Sequence, residues 1–196
     1  MAPFEYSGPV GDGPNGWSVE VVEPDPINQM RYMFDGRPSG DGPFVVLRHN
    51  RVLWMSDTDA ELRDHSEPVF RVKEAASNES QAKALIHGLG LGLVTAAALR
   101  SGANVDVVEI DRDLCDWMEL WLQDVAAEHG RLLTVHVADV FEKRWPARSR
   151  WDVVWHDIWP DITPDNLPEM TRLHRSYGRR SDWQGSWARY TCERYR

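Results

Sequence analysis

Residues 83–111 read KALIHGLGLGLVTAAALRSGANVDVVEID. An apolar run runs into three glycines at alternate positions, Gly88, Gly90 and Gly92. An alanine-rich stretch of helical character follows and stops at Gly102. A second apolar run then ends on Glu109. Strand, glycine turn, helix, strand is the first unit of a parallel sheet with a crossover connection. Glycines at such a turn reach positive φ and let a backbone or ligand approach closely. The free N–H groups at the start of the next helix suit a polar or anionic ligand end.

The same pattern continues downstream. Asp111 suits the N-cap of a long helix over residues 112–130, RDLCDWMELWLQDVAAEHG. Residues 131–141, RLLTVHVADVF, predict a third strand, and residues 151–160, WDVVWHDIWP, a fourth. Continuous apolar strands imply a sheet covered on both faces. Upstream, WSVEVV (17–22) reads as a strand, and RYMFD (31–35) as another. FVVLRHNRVLWMS (44–56) reads as a hairpin turning near His49-Asn50. Thr58-x-x-Glu61 has the form of a capping box, with a helix stopping near Pro68. After the fourth strand, Thr163-Pro164 opens a helix with Leu167, Met170, Leu173 and Tyr177 on one face, ended by Gly178. A last helix is expected to carry Trp183, Trp187 and Tyr190 on one side.

The expected organisation is therefore a β-rich element with one helix over 1–75, a Rossmann-like core over 76–162 and C-terminal helices over 163–196. The sheet would be truncated after the fourth parallel strand. That strand would be an exposed apolar edge, which invites pairing. The aromatic C-terminal helices would cover it within the chain or form a homodimer surface.

Composition narrows the function classes. Of 196 residues, 42% are hydrophobic and 27% charged, an ordinary globular balance. No run approaches the ~18–20 apolar residues that span a bilayer. The N-terminus lacks the basic start and apolar core of a secretory signal, so a cytoplasmic protein is expected. Cys115 and Cys192 stand far apart, in no metal or disulfide spacing. The net charge of −9 disfavours a nucleic-acid partner. Arg172, Arg175, Arg179 and Arg180 cluster, but they read as a solvated helix end.

Three features together describe an adenosine pocket at the carboxyl ends of neighbouring strands. The glycines of the loop come first. Glu109, at the tip of the second strand, can accept both hydroxyls of a ribose. Asp139, at the end of the third, can meet the exocyclic amine of adenine. NAD is the natural competitor. The glycine spacing differs from G-x-G-x-x-G, and too little chain follows the fourth strand for a second mononucleotide half.

The stretches IHGLGLG, VVEID, VADVF and DVVWHDIW resemble motifs of class I S-adenosylmethionine (SAM) dependent methyltransferases, in particular the spermidine-synthase-like branch. RVLWMSDTDAELRDH resembles the segment preceding the core in small bacterial and phage proteins of that branch. The resemblance spans roughly residues 45–190. It implies SAM as cofactor, with Gly88, Gly90 and Gly92 facing its amino-acid part, Glu109 its ribose and Asp139 its adenine. The Tyr-His-Glu run of true spermidine synthases is absent, and Asp64-His65 does not reproduce it.

The fourth strand ends in Trp155-His156-Asp157-Ile158-Trp159-Pro160-Asp161. Methyl transfer from a sulfonium needs an aligned nucleophile, and a carboxylate or imidazole can orient an amine and take its proton. Asp157 is the first catalytic candidate, with His156 and Asp161 behind it. Strand alternation puts His156 and Asp157 on opposite faces. Trp155 and Trp159 read as core, or as an aromatic wall for a cation. Asp157, Asp161 and Asp165-Asn166 match no metal spacing, and no metal is expected. Asp64 and His65 read as a solvated helix face, or as part of a lid. The sequence thus favours a methyltransferase with an unidentified small-molecule or side-chain acceptor, an amine-bearing one among the candidates. An aminopropyltransferase using decarboxylated SAM, a non-catalytic SAM-binding protein and a SAM-degrading enzyme are the alternatives.

Overall fold

The computed structural model describes residues 4–25, 40, 42–78 and 81–196. The possible strand at 31–35 lies outside them. Two sheets organise the chain. The first is antiparallel, with strands β1 (Gly11–Asp12), β2 (Trp17–Val22), β3 (Phe44–His49) and β4 (Val52–Ser56) in spatial order. The β3–β4 hairpin turns on Asn50 and Arg51, both at positive φ.

Helices α1 (Asp59–Asp64) and α2 (Ser66–Asn78) follow. The helix does not stop at Pro68. Pro68 lies in the first turn of α2, where its missing N–H has no helical partner to lose. The capping box does not close either: Thr58 sits at the N-cap of α1, but its hydroxyl meets Ser56 Oγ at 3.1 Å.

The second sheet is wholly parallel. It contains β5 (Ala82–His87), β6 (Ala103–Glu109), β7 (Leu133–Val137), β8 (Trp151–His156) and β9 (Ser181–Ser186), in the order β7-β6-β5-β8-β9. This is the 3-2-1-4-5 order of a Rossmann-like sheet, with its switch point between β5 and β8. Helix α3 (Leu93–Arg100) joins β5 to β6, α4 (Arg112–Glu128) joins β6 to β7, and α5 (Leu167–Tyr177) precedes β9. Helix α6 (Arg189–Arg194) ends the fold. Asp111 caps α4 by accepting a hydrogen bond from Leu114 N at 2.9 Å. Leu114, Met118, Leu122 and Val125 form its buried stripe, each contributing about 1.5–3 kcal/mol by leaving water.

β9 corrects the expected end of the sheet. Ser-Asp-Trp-Gln-Gly-Ser is polar and short, without the apolar run that marks a buried strand, yet it pairs with β8 from Trp151↔Ser181 to His156↔Ser186. An edge strand needs only one side chain row to pack. Here Trp183 stacks on Trp155 at 8° between planes, and a side chain at Gly185 would collide with both rings. Trp183, Trp187 and Tyr190 therefore share no helix face: Trp183 is in a strand, Trp187 is buried beyond it, and Tyr190 is exposed. β8 is an interior strand, so the exposed apolar edge that suggested a dimer does not exist.

Coverage of the two faces is unequal. Helices α2, α3 and α4 pack one face around Val105, Val107, Leu133 and Val153. On the other, α5 lies over β8 and β9, with Leu85, Val154, Met170, Leu173 and Tyr177 between. No helix stands between β7 and β8, and residues 138–150 cross that side as a loop. The expectation of a sheet covered on both faces thus fails at β6 and β7. Asn104, Asp106, Thr134 and His136 alternate there with Val105, Val107, Leu133 and Val135 and are not buried. Among the described residues no helix is long and apolar enough to cross a membrane.

Candidate active site

A cavity of about 400 Å³ opens at the carboxyl ends of β5, β6, β7 and β8. Such volumes suit small ligands and cofactors. Its floor is the glycine loop. Gly88 has φ +89, and a Cβ there would lie 1.8 Å from the carbonyl oxygen of Asp157. Glycine at this position lets β5 and β8 close together, sealed by Asp157 N donating to His87 O at 2.8 Å. Gly90 has φ +50, and a Cβ would meet Met55 Sδ at 2.1 Å. The N–H of Leu91 donates to that sulfur at 2.9 Å, so the end of β4 away from the hairpin turn rests on the loop. Gly92 is not among the cavity's lining residues. It starts α3 at φ +73, where a side chain would strike Trp121.

Glu109 binds the loop from the side. Its Oε2 accepts from Leu89 N at 2.9 Å, and its Oε1 accepts from Ile110 N and Asp111 N at 2.8 and 2.9 Å. Asp139 stands at the next strand end, one oxygen accepting from Phe141 N at 2.7 Å in an Asx turn. Both carboxylates line the cavity, with Val140 and Phe141 beside Asp139.

The three catalytic candidates separate. Asp157 lines the cavity. Burial, and then the nearby Glu61 carboxylate, hold its carboxyl well above the usual range; Asp64 and Glu109 add to this, and the Trp155 indole opposes it. His65, fully buried at the break between α1 and α2, approaches Asp157 Oδ2 to 3.7 Å. His65 is therefore not part of a solvated helix face. His156 points away, under the sheet, as strand alternation predicts. Its Nδ1 meets His87 Nδ1 at 2.8 Å and its Nε2 meets Gln184 Oε1 at 3.3 Å. Burial drives the His156 imidazole down to about 3. Asp161 does not line the cavity. Its carbonyl accepts from Asn166 Nδ2 at 2.8 Å, the behaviour of a turn residue.

Several lining residues escaped the sequence reading. Glu61 was legible only as half of a capping box. Glu169, on α5, accepts from Trp159 Nε1 at 2.8 Å and joins the wall. Trp54 and Trp187 come from the hairpin and from the end of β9, elements distant in sequence. Trp155 belongs to the core, whereas Trp159 reaches the cavity. In all, Glu61, Glu109, Asp139, Asp157 and Glu169 line the space with Trp54, Phe141, Trp159 and Trp187, and no Lys or Arg is among the described lining residues. The cavity is built for a cation: carboxylates supply negative potential, and aromatic rings attract a positive centre.

No family model matches the chain, and no curated protein matches it. Solved structures with similar portions include the magnesium protoporphyrin IX methyltransferase ChlM of Synechocystis PCC 6803 with bound SAH (16% identity, 60% of this chain and 64% of that one, TM-score 0.39). A SAM-dependent methyltransferase of Agrobacterium tumefaciens is 18% identical over 58% of this chain and 36% of its own, with TM-score 0.41. The CcbJ methyltransferase of Streptomyces caelestis is 23% identical over 58% and 44%, with TM-score 0.40. The chain spans only 26% of an Arabidopsis thaliana protein arginine methyltransferase 10 and 36% of a Plasmodium falciparum dimethyladenosine transferase that it also resembles in part.

Proposed function

We propose that this chain is a SAM-dependent methyltransferase whose acceptor carries an amine. One observation carries the reading: a glycine loop and five carboxylates surround a partly aromatic cavity at the switch point of a Rossmann-like sheet. A nucleoside sulfonium fits this donor set. Glu109 offers its remaining lone pairs to ribose hydroxyls. Asp139, with Val140 and Phe141, offers one free carboxylate oxygen and an apolar wall to adenine. Gly88 and Gly90 line the cavity on the side offered to the amino-acid part, and Gly92 acts one step back by starting α3. The cofactor supplies an electrophilic methyl group.

The chain's own contribution is to orient the acceptor and receive its proton. Asp157 lies where an incoming amine would meet it. Burial raises the Asp157 carboxyl, and a positive ligand beside it would act in the opposite direction, favouring the carboxylate that takes the proton. His156, buried against His87, acts in this reading as a structural support beneath the loop.

The test is thermal unfolding with SAM, S-adenosylhomocysteine, decarboxylated SAM and NAD. A ligand at ~100 times its Kd stabilises by about 2.7 kcal/mol, which raises the midpoint by roughly 5–10 °C at this chain length. A shift with SAM and S-adenosylhomocysteine, lost in Glu109→Ala, is the expected result. No shift with either sinks the proposal. One feature favours a second reading, aminopropyl transfer: no cation among the described lining residues faces a ligand carboxylate. A shift chiefly with decarboxylated SAM would select it.

A further inference from the structure

The missing crossover helix between β7 and β8 leaves a second, separate depression. It is a groove of about 610 Å³ over the uncovered face of β6 and β7, and it shares no lining residue with the cavity at the strand ends. Acids outnumber Lys and Arg by 31 to 22 over the whole chain. Around this groove the balance inverts: Lys83, Lys143, Arg144, Arg148 and Arg150 line it, against Asp106 as the one acid among the described lining residues.

The single acid is spent on holding a cation in place. Asp106 Oδ2 accepts from Trp151 Nε1 at 2.8 Å, and its Oδ1 meets His136 Nε2 at 3.1 Å. Lys143 Nζ meets His136 Nδ1 at 3.0 Å. An ammonium only donates, so His136 accepts at Nδ1 and carries its proton on Nε2 toward Asp106. The chain of bonds fixes the Lys143 ammonium 4.7 Å above the Trp145 ring, with two further donors to offer. The loop is fixed as well. Arg180 donates to the carbonyls of Pro146 and Ser149, and Trp145 Nε1 donates to Tyr177 OH at 3.0 Å. Arg150 is engaged by Asp182, but among the described residues the side chains of Lys83, Arg144 and Arg148 have no ion pair or hydrogen bond.

We infer that this groove binds a short polyphosphate group, as on a nucleoside polyphosphate or a free oligophosphate. Several cations arranged along a groove match a row of phosphates better than a single anion. The aromatic rings offer no stacking platform, because Lys143 covers Trp145 and Trp151 is only 3% exposed. Recognition therefore falls on the phosphates and not on bases. The chain's overall net charge of −9 disfavours a long nucleic-acid strand, which would have to extend beyond the groove. The inference does not depend on the methyltransferase reading.

Isothermal titration of the full chain with sodium tripolyphosphate tests it, since this probe carries no adenosine for the other cavity. Saturable binding is expected, weakening as salt rises from about 50 to 200 mM. Inorganic monophosphate should bind at least about tenfold more weakly, having fewer charges to pair. The exposed pair Arg144→Glu/Arg148→Glu should lose at least about tenfold in affinity at unchanged melting temperature. Lys143→Gln should weaken binding too, and Glu109→Ala should leave it unchanged. ATP matching tripolyphosphate in both wild type and Glu109→Ala would point to a nucleotide source, and tripolyphosphate alone to a free oligophosphate. Absence of saturable binding at millimolar probe overturns the inference. So does equal affinity in the charge-reversed variant, or tighter binding of an oligothymidylate of about a dozen nucleotides.

Discussion

Acidification should destabilise this protein well before its carboxylates titrate, because of two histidines at the ends of β5 and β8. His87 and His156 are fully buried side by side, Nδ1 to Nδ1 at 2.8 Å. One must donate and the other accept, so the two cannot both be charged, and burial disfavours a charge on the donor as well. Burial, with the neighbouring His156, holds His87 well below the ordinary imidazole range, and burial takes His156 down to about 3. In the unfolded chain both titrate near 6.5. Their depressed folded values mean that the stability is fully present above about pH 6.5 and drains away as pH falls, the loss levelling off near the folded values. Between pH 7 and 5, a histidine that cannot charge in the fold forfeits about 2 kcal/mol, so the pair forfeits about 4 kcal/mol. For a chain of this length that is roughly 8–16 °C in midpoint. The raised carboxyl of Asp157 acts in the opposite sense over the same window, so the comparison must be between proteins. Melting of wild type and of His87→Gln/His156→Gln at pH 7, 6 and 5 isolates the pair. The wild-type midpoint should fall more steeply by about that amount. Parallel slopes would refute the assignment of a neutral, buried pair.

Asp157→Asn should raise the melting midpoint at pH 7, since a carboxyl held above its ordinary pKa costs stability as pH rises past about 4, and should abolish transfer while keeping cofactor binding. A protein that melts no higher would show that Asp157 is not desolvated. Gly88→Ala, with its Cβ placed 1.8 Å from a backbone oxygen, should prevent folding or cost more than about 3 kcal/mol, measured by urea unfolding. Gly90→Ala meets instead the flexible Met55 thioether, so adding Met55→Ala should recover much of the loss, although the strain of φ +50 remains. Trp159→Phe should cost about 0.5–1.5 kcal/mol, since water can replace the indole donor at the exposed Glu169, and should weaken ligand binding at the wall they share.

The core was legible from sequence because local rules and burial agree there. Residues 83–111 alternate strand, glycine turn and helix with no competing signal, and each lies where that pattern puts it. Asp111 as a cap and Asp157 facing away from His156 follow from periodicities of 3.6 and 2, which need no tertiary information. Glu109 and Asp139 could be placed at one cavity because strand ends in a parallel sheet all converge on one edge. Tertiary structure decided the rest. SDWQGS becomes a strand only because β8 offers it a ladder of free backbone groups and Trp155 a surface for Trp183; its own residues give no β signal. Asp161 and Gly92 sit near the cavity in sequence but serve a turn and a helix start, since loop direction depends on what packs beneath. Glu61, Glu169, Trp54 and Trp187 reach the cavity from four separate elements. Sequence spacing carries no record of such a meeting, because only the packing of helices and hairpin on the sheet brings those side chains to one place.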